Sequence, residues 1–356
     1  MKRPLLTFVV ATFNQEAYVR EAITNAFAQT YSPLEIIISD DCSRDRTFII
    51  ASEMAAAYKG PHTIRLNRNP TNFGIGGHVN RIMELSRGAL IIAAAGDDVS
   101  LPERTEVIYQ AWENSGRRAT SIFSSYTTIT AEGQNLGVGG TRGDPADATL
   151  YRPQRGTLFD YLSKKWPVVV GCTHAWAPSL FEYFGPLKAD LEDLTISFRT
   201  LAVGELLYVH QPLIKYRRHG NNVSFFSDWD DTSSFEHREK RLRWVDEKHV
   251  MAYDTMLADI ETLHRKGRIT PAERARLSAE AQRIRNIYAV ERKMMDGGFF
   301  RRLRTLTETL GQGHLHCAVR SLPRALPRPV YRSLFLLRER CRAMLRTNRG
   351  PERLSA

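Results

Sequence analysis

Two adjacent carboxylates, Asp97 and Asp98, follow a short apolar run that ends at Gly96. The run has the composition of a buried strand in a parallel sheet, and Ser100 with Glu103 predicts that a helix begins directly afterwards. In open α/β sheets, ligands bind at this edge, outside the carboxyl ends of the strands. Paired hard oxygen ligands there suit a divalent cation that carries a substrate's phosphates. A solvated turn with a capping aspartate is the plainer interpretation of the pair.

The elements that must position these carboxylates alternate between strand and helix. Leu5–Ala11 and Leu34–Ser39 each predict a buried strand, and apolar residues at helical spacing follow each of them. This alternation predicts an α/β fold with a mostly parallel sheet and right-handed crossovers. Parallel strands release their loops at one edge, so we expect Phe13-Asn14, Asp40-Asp41 and Asp97-Asp98 to share a crevice.

Less regular segments follow the alternating part. Leu206–Val209 and Leu213–Tyr216 predict two edge strands. The apolar segment Trp166–Trp176 has aromatic residues at both ends, which indicates a second pocket of the kind that loops build.

Length and charge limit the organisation of the chain. At 356 residues it exceeds the size at which a single core stops growing, roughly 250 to 300 residues, so two units are expected. We place an α/β unit at residues 1–228 and a basic, mainly helical region at 229–356. The net charge of +11 indicates attraction to anions. Four scattered cysteines indicate neither a zinc site nor a disulfide framework.

The N-terminus resembles a signal peptide only superficially. Its apolar run is as short as a strand, and Asn14, Glu16 and Arg20 follow at once. No segment approaches the roughly 20 apolar residues that cross a bilayer. We therefore expect a cytoplasmic protein, with any membrane contact peripheral and at the inner face.

The C-terminal part changes character at about Asp230. Helix formers with interleaved charges lead to a tail in which arginine dominates after Phe299, and Leu334-Phe335-Leu336-Leu337 is flanked by arginines. This favours an amphipathic helix at a membrane surface or against a partner. Helices that cover the rest of the chain or mediate self-association are the plainer alternative. Aromatic rings are not interleaved with the arginines as in single-strand readers, so nucleic acid is not an expected partner.

Several motifs in order resemble the family-2 glycosyltransferases, nucleotide-sugar enzymes of the GT-A fold. The resemblance covers about Met1 to Ser224 and leaves the C-terminal third outside. The motifs are Phe8 to Asn14, Ile38 to Asp45, Asn72 to Gly74, Gly96-Asp97-Asp98, Glu192-Asp193-Leu194 with Arg199, and Tyr216-Arg217-Arg218-His219 with Asn222 and Ser224. Residues 1–228 would then be the catalytic domain. Cys42 departs from the small residue usual in its loop, and Asp97-Asp98 replaces an Asp-x-Asp pair.

The resemblance implies a nucleotide-sugar donor and a Mn²⁺ or Mg²⁺ cofactor. Thr12, Phe13 and Asn14 would line the nucleotide site, with Phe13 packed on the base and Asp41 accepting a hydrogen bond from it. Asp97 would touch the ribose or the sugar, and Arg217 the diphosphate. Asp98 and His219 would bind the metal, which neutralises charge on the departing nucleoside diphosphate. His219 and Arg217 could equally lie at the rim of the site.

Asp193 matches the general base of the family. It would take the proton of an acceptor hydroxyl as that oxygen attacks the anomeric carbon, which would invert the stereochemistry. The acceptor would be a carbohydrate or a glycolipid, in the synthesis of a cell-surface polysaccharide or glycan. An exposed carboxylate in the first turn of a helix is the plainer interpretation of Asp193.

Two other interpretations were weighed. Gly74-Ile75-Gly76-Gly77 suggests a dinucleotide-binding loop, but Val79 stands where a third small residue belongs and no suitable strand precedes it. A non-catalytic protein that binds a nucleotide sugar or nucleic acid, with a basic helical tail, is the alternative function.

Overall fold

The computed structural model describes residues 2–140, 148–152, 157–163, 170–220, 222, 235–295 and 298–311, with positions 322, 324, 326–327, 329–333 and 337. The strands are β1 (Leu6–Thr12), β2 (Leu34–Asp40), β3 (Thr63–Arg68), β4 (Ile91–Ala95), β5 (Val99–Ser100), β6 (Ala119–Ile129), β7 (Asn135–Gly139), β8 (Ala148–Tyr151), β9 (Ala175–Trp176) and β10 (Glu205–Arg217). The helices are α1 (Val19–Phe27), α2 (Thr47–Ala57), α3 (Gly74–Leu85), α4 (Arg104–Asn114), α5 (Thr157–Leu162), α6 (Ser179–Phe184), α7 (Glu192–Val203), α8 (Phe235–Arg265), α9 (Pro271–Met295) and α10 (Phe299–Gly311).

One mixed sheet holds these strands, in the order β3-β2-β1-β4-β9-β6-β10-β5, with β7 beside β6 and β8 beside β10. Strands β1 to β4 pair in parallel, and the registers Thr12 with Asp40 and Ala11 with Ala95 align their carboxyl ends. The predicted α/β fold with a helical C-terminal region is confirmed, and the loops after β1, β2 and β4 leave the same edge.

Apolar cores lie on both faces of the sheet. Phe8 and Val10 of β1 belong to a cluster with residues of α1, α2 and α4, while Val9 between them faces a second cluster with residues of α3, α6 and α7. Because both faces are covered, β1 carries apolar residues at consecutive positions, Phe8 to Ala11, rather than only at alternate ones.

The two predicted edge strands near residues 206–216 are one strand, and that part of the prediction was wrong. Strand β10 runs without a break from Glu205 to Arg217, with β6 on one side and β5 and β8 on the other. Its register with β6 shifts around Pro212. This irregularity accommodates a residue without a backbone N–H, which would interrupt a regular ladder.

The chain divides into two compact units. One comprises Met1–Phe226 with Asp254–Ala281, and the other Ser227–Tyr253 with Gln282–Ala356. The division expected after residue 228 stays a prediction, because the first unit takes residues from both sides of it. Within the part of the chain that the structure describes, no helix has the length and apolarity needed to cross a bilayer.

A buried ion pair attaches α8 to α7 inside the first unit. The Arg199 side chain is 1% exposed, and its Nε and a terminal nitrogen lie 2.8 and 3.1 Å from the two carboxylate oxygens of Asp259. Arg199 also donates to the carbonyl of Gly185 at 2.7 Å. Arg199 was part of the sequence motif, whereas Asp259 lies in the segment expected to be an extension.

Replacing Asp259 by alanine is expected to lower the free energy of unfolding by about 3–5 kcal/mol, because the Arg199 charge would stay buried without its partner. Urea unfolding followed by circular dichroism measures the change. The control is Glu261→Ala, which breaks an exposed pair with Arg274 and should cost at most about 1 kcal/mol. Equal losses for the two variants would contradict the role assigned to the pair.

Candidate active site

The acidic turn between β4 and β5 carries a deeply buried carboxylate. Asp98 is 3% exposed, and its Oδ1 accepts the backbone N–H of Arg217 at 2.8 Å. Its Oδ2 is buried and has no hydrogen-bond partner among the described residues. Burial and the neighbouring Asp97 raise the pKa of Asp98 well above its usual range, while the Arg217 N–H, the Cys172 thiol and the Arg104 charge oppose this rise.

The surroundings of Asp98 indicate whether a metal ion would fit at this position. A carboxylate with one oxygen held by an N–H and the other unsatisfied is costly to bury in its charged form. A divalent cation at that oxygen would remove the cost, and oxygen is the ligand that Mg²⁺ and Mn²⁺ prefer. The donor set therefore fits such an ion at Asp98.

Arg104 is a buried cation beside this turn. Its side chain is fully buried and donates to Ser100 Oγ at 2.9 Å, to the Ala93 carbonyl at 2.7 Å and to the Cys172 carbonyl at 2.9 Å. Burial lowers its pKa to about 10. One guanidinium thus joins β4, β5 and the short turn that contains Cys172.

Arg217 holds the acidic turn from the other side. Its Nε donates to the Asp97 carbonyl at 2.9 Å and a terminal nitrogen to the Ala131 carbonyl at 2.8 Å, while the other terminal nitrogen pairs with Glu21. The side chain is 4% exposed. These contacts hold the acidic turn, and the expected contact of Arg217 with a diphosphate stays a prediction.

His219 contacts Asp97 of the acidic turn. Its Nε2 lies 2.9 Å from Asp97 Oδ2, and its ring stacks on Tyr18 at a centroid distance of 4.8 Å. Asn222 fixes this turn by accepting the His219 N–H at 2.6 Å and donating to the Arg217 carbonyl at 2.8 Å. Asp97 and His219 thus form a pair next to the buried Asp98. No cluster of three or more metal-ligating side chains occurs within the described ranges.

Asp41 is 3% exposed, and the protein holds one of its two carboxylate oxygens. Its Oδ1 accepts from Asn69 Nδ2 at 2.8 Å and from the Phe73 N–H at 2.9 Å. Its Oδ2 makes no hydrogen bond to any residue that the structure describes. Phe73 donates its N–H to Asp41, and Phe13 follows Thr12, whose carbonyl accepts the Asp41 N–H. Both phenylalanine side chains are 42% exposed.

Thr12 and Asn14 are occupied by structural hydrogen bonds. The Thr12 hydroxyl donates towards the Ser39 carbonyl and Asp40, at 3.3 and 3.2 Å. Asn14 has a positive φ of 51°, and its Oδ1 accepts the Arg44 N–H at 2.8 Å. Both residues therefore fix the loop after β1 against the loop after β2.

Backbone hydrogen bonds bring the predicted acidic residues to one edge. The Asp41 N–H donates to Thr12 and the Gly96 N–H to Ala11, both at 2.9 Å. Since β2 and β4 flank β1, the two acidic loops start about 10 Å apart, twice the spacing of adjacent strands.

A short 3₁₀ turn, Gly171–Thr173, brings the start of α7 to the same site. Cys172 lies beside Asp98, and a methyl group on the preceding Gly171 would collide with the Glu192 carboxylate and touch Asp193. Asp193 therefore lies near the acidic turn, and its role as a general base stays a prediction. Only this close approach requires glycine at position 171.

Glu192 and Asp193, the two carboxyl groups at the start of α7, differ in pKa. Burial, with the neighbouring Asp193 charge, raises the pKa of Glu192 to about 8. Burial raises the pKa of Asp193 to about 6, opposed by the Leu194 N–H, which donates to its Oδ1 at 2.7 Å. At neutral pH, Glu192 is mostly protonated and Asp193 mostly ionised.

Asp190 connects the start of α3 to α7. Its Oδ1 accepts the Gly76 N–H at 3.0 Å at the N-terminus of α3, directly after Phe73. Asp190, Arg104 and Cys172 were missed from the sequence, because a short polar loop, a helical arginine and an isolated cysteine give no motif.

The prediction of a second pocket at Trp166–Trp176 is wrong at the C-terminal end of that segment. Trp176 is 2% exposed and packs in the core. Residues 166–169 lie outside the described residues, as do Ser224 and Leu334-Phe335-Leu336. A cleft of about 470 Å³ lies elsewhere, between α4 and strands β8 and β10, and contains none of the predicted site residues.

Comparison with known proteins identifies similar chains. Residues 7–182 match the family model for glycosyl transferase family 2. An uncharacterized glycosyltransferase of Rickettsia typhi is 26% identical over 223 residues, covering 61% of this chain and 64% of that protein. Putative glycosyltransferase EpsE of Bacillus subtilis is 33% identical over 103 residues, 29% of this chain and 36% of that protein. The chain thus spans less than two thirds of the length of these relatives.

Two solved structures are similar at low identity. S. aureus TarS 1-349 in complex with UDP-GlcNAc is 13% identical with a TM-score of 0.49, covering 86% of this chain and 92% of that one. Mannosyltransferase PcManGT from Pyrobaculum calidifontis, in complex with GDP-Man and Mn²⁺, is 17% identical with a TM-score of 0.47, covering 94% and 84%.

Replacing Gly171 by alanine is expected to cost about 1–3 kcal/mol of stability, as overpacking usually does, because the methyl group would displace Glu192. Urea unfolding measures this loss. Gly220→Ala is the control, since no described atom lies within 4 Å of its added methyl group. Combining Gly171→Ala with Glu192→Ala should recover most of the loss, and an unchanged stability of Gly171→Ala would exclude the close approach.

Proposed function

We propose that this chain, whose residues 7–182 match the family model for glycosyl transferase family 2, transfers a sugar from a nucleoside-diphosphate donor to an acceptor hydroxyl with inversion. One observation carries the proposal. The loops after β1, β2 and β4 and the start of α7, which are distant in sequence, bring Asp41, Asp97, Asp98 and Asp193 to the same edge of the sheet.

Asp41 and two phenylalanines would receive the nucleotide base. The free Oδ2 of Asp41 can accept an N–H of the base, since its Oδ1 is already fixed by Asn69 and Phe73. The exposed rings of Phe13 and Phe73 offer apolar faces on which a base can pack. Thr12 and Asn14 would act indirectly, by holding the loop that carries Phe13.

Asp98 would hold a divalent cation, Mn²⁺ or Mg²⁺, with Asp97 and His219 as neighbouring polar groups. Such an ion supplies Lewis-acid stabilisation for the negative charge on a departing nucleoside diphosphate. The unsatisfied Oδ2 of Asp98 supports this assignment. His219 would hold and orient Asp97 through their 2.9 Å contact.

Asp193 would act as the general base. A carboxylate with a pKa of about 6 is ionised at neutral pH and retains more basicity than an ordinary aspartate. It would accept the acceptor's hydroxyl proton as the oxygen bonds to the anomeric carbon and the diphosphate leaves from the opposite side. The bond made and the bond broken then lie on opposite faces, which gives inversion.

The remaining parts of the proposal concern partners. We propose a carbohydrate or glycolipid acceptor, in the synthesis of a cell-surface polysaccharide or other glycan. TarS is solved with UDP-GlcNAc and PcManGT with GDP-Man. The proposal includes a nucleotide sugar as donor without choosing its base or sugar. A cytoplasmic location, with peripheral contact at the inner face of the membrane, belongs to the same proposal.

Replacing Asp193 by asparagine is expected to lower kcat by about 10²–10⁴-fold, the usual contribution of a general base, with donor affinity unchanged. Turnover of UDP- and GDP-sugars with Mn²⁺ measures kcat, and calorimetry measures donor binding. Glu182→Gln removes an exposed carboxylate near the start of α6 and serves as the control. Equal kcat values for wild type and Asp193→Asn would remove the base from the mechanism.

The pH dependence of kcat should follow the ionisation of Asp193. Protonation abolishes its ability to accept a proton, so kcat should fall about tenfold per pH unit below about pH 6 and stay level above it. A full pH profile of the wild type measures this limb. An acid limb near the ordinary aspartate pKa of about 4 would contradict the environment described for Asp193.

Replacing Asp98 by asparagine is expected to weaken Mn²⁺ binding at least about tenfold, as loss of a supporting or direct metal ligand does. Electron paramagnetic resonance of free Mn²⁺ measures this without any turnover. Without metal, the variant should unfold at the same temperature as wild type or higher, because a costly buried carboxylate is removed. Glu53→Gln, at an exposed side chain, is the control. Unchanged Mn²⁺ affinity would place the metal elsewhere.

A further inference from the structure

Helix α10 of the second unit presents an exposed apolar surface, which we call the α10 stripe: Phe299, Phe300, Leu303 and Leu310. Their exposed fractions are 41, 83, 43 and 45%. Residues 300, 303 and 310 are three and seven positions apart, so they share one side of a helix.

A different side of α10 attaches the helix to its unit. Leu306 is 7% exposed and packs with Met294 of α9. Arg302 is 3% exposed and donates to the Arg324 carbonyl at 3.2 Å. Thr309 is also buried. The inward side is therefore satisfied, and the stripe is not needed for packing inside this unit.

Arginines accompany the stripe on the same helix. Arg301 and Arg304 are exposed, and Arg304 pairs with the exposed Glu308 one turn later. From residue 299 to the end, the sequence contains thirteen arginines, three glutamates and neither lysine nor aspartate. Seven of the thirteen exposed large apolar side chains of the described chain also lie after residue 298. Exposed apolar and basic groups thus coincide in the same part of the chain.

We propose that the α10 stripe docks onto an anionic lipid surface. Phenylalanine and leucine bordered by arginine are the groups that place a helix in the interface of a bilayer, with rings among the acyl chains and guanidinium groups at the headgroups. A helix of 13 residues is about 20 Å long and can lie in this interface but not span it. A second copy of the same surface would bring like charges together, which disfavours self-association.

The inference does not depend on the proposed sugar transfer, although a glycolipid acceptor would be consistent with it. The test uses the full chain without nucleotide or metal. Co-sedimentation compares vesicles of phosphatidylcholine alone with vesicles that also contain phosphatidylglycerol. We expect binding to the anionic vesicles and a decrease with added salt, because the arginine contribution is screened.

The variant Phe300→Ser with Leu303→Ser should reduce the vesicle partition coefficient at least about tenfold, because both removed side chains contribute apolar burial in the interface. Its unfolding temperature should match wild type, since both side chains are exposed. Leu136→Ser with Val138→Ser removes similarly exposed apolar groups from β7, 53 and 71% exposed, and should bind as wild type does. Arg301→Glu with Arg304→Glu should remove the preference for phosphatidylglycerol.

Three results would overturn the proposal: no sedimentation of wild type with anionic vesicles, equal binding by the wild type and the serine variant, or a dimer in light scattering that the serine variant abolishes. The last would assign the stripe to self-association. Transfer of sugar to a water-soluble acceptor, measured separately, distinguishes failure of the docking proposal from failure of the proposed function.

Discussion

The arrangement of the site depends on Asp98, a carboxylate that is buried without enough nearby positive charge to offset the cost of removing it from water. Taking one carboxylate out of water costs several kcal/mol, and a hydrogen bond to a charged group returns only about 1.5–3 kcal/mol. Asp98 receives one such bond from a backbone group, the Arg217 N–H, and a weaker one from the Cys172 thiol. The nearest guanidinium groups do not complete the compensation, because Arg104 donates to Ser100 and two carbonyls and Arg217 to Glu21 and two carbonyls. Asp98 must therefore either take a proton or bind a cation.

Both buried arginines nevertheless determine where that carboxylate lies. Arg104 fixes the acidic turn to the turn at Cys172, and Arg217 fixes it to the end of β10. Because Gly171 precedes Cys172 and contacts Glu192, the position of α7 relative to Asp98 follows from the same contacts. A cation that binds at Asp98 would thus meet a site whose backbone is already held from two sides.

The sequence predicted the fold and the meeting of acidic loops because both follow from local patterns. Buried strands that alternate with helices imply a parallel sheet, and parallel strands place Asp41 and Asp98 at one edge whatever the side chains then do. The partners of individual side chains were beyond such reasoning. Arg217 pairs with Glu21, 196 positions earlier, and His219 contacts Asp97. Strand β10 continues through Pro212, and Asp259 joins the first unit through Arg199. These contacts depend on tertiary packing that no spacing in the sequence expresses.

The neighbouring carboxyl groups at the start of α7 illustrate how environment can separate two similar residues. Two partly buried carboxylates side by side cannot both ionise cheaply, so one keeps its proton to higher pH. The Leu194 N–H stabilises the ionised form of Asp193, whereas Glu192 is pressed against Gly171 and bears the repulsion of Asp193. At neutral pH the pair therefore offers one acceptor and one donor of protons. A base that accepts the proton of a sugar hydroxyl must be ionised, as Asp193 is. Because the neighbouring Glu192 is protonated, it adds no second negative charge beside Asp193. The physical distinction favours Asp193 over Glu192 as the base without any appeal to sequence motif.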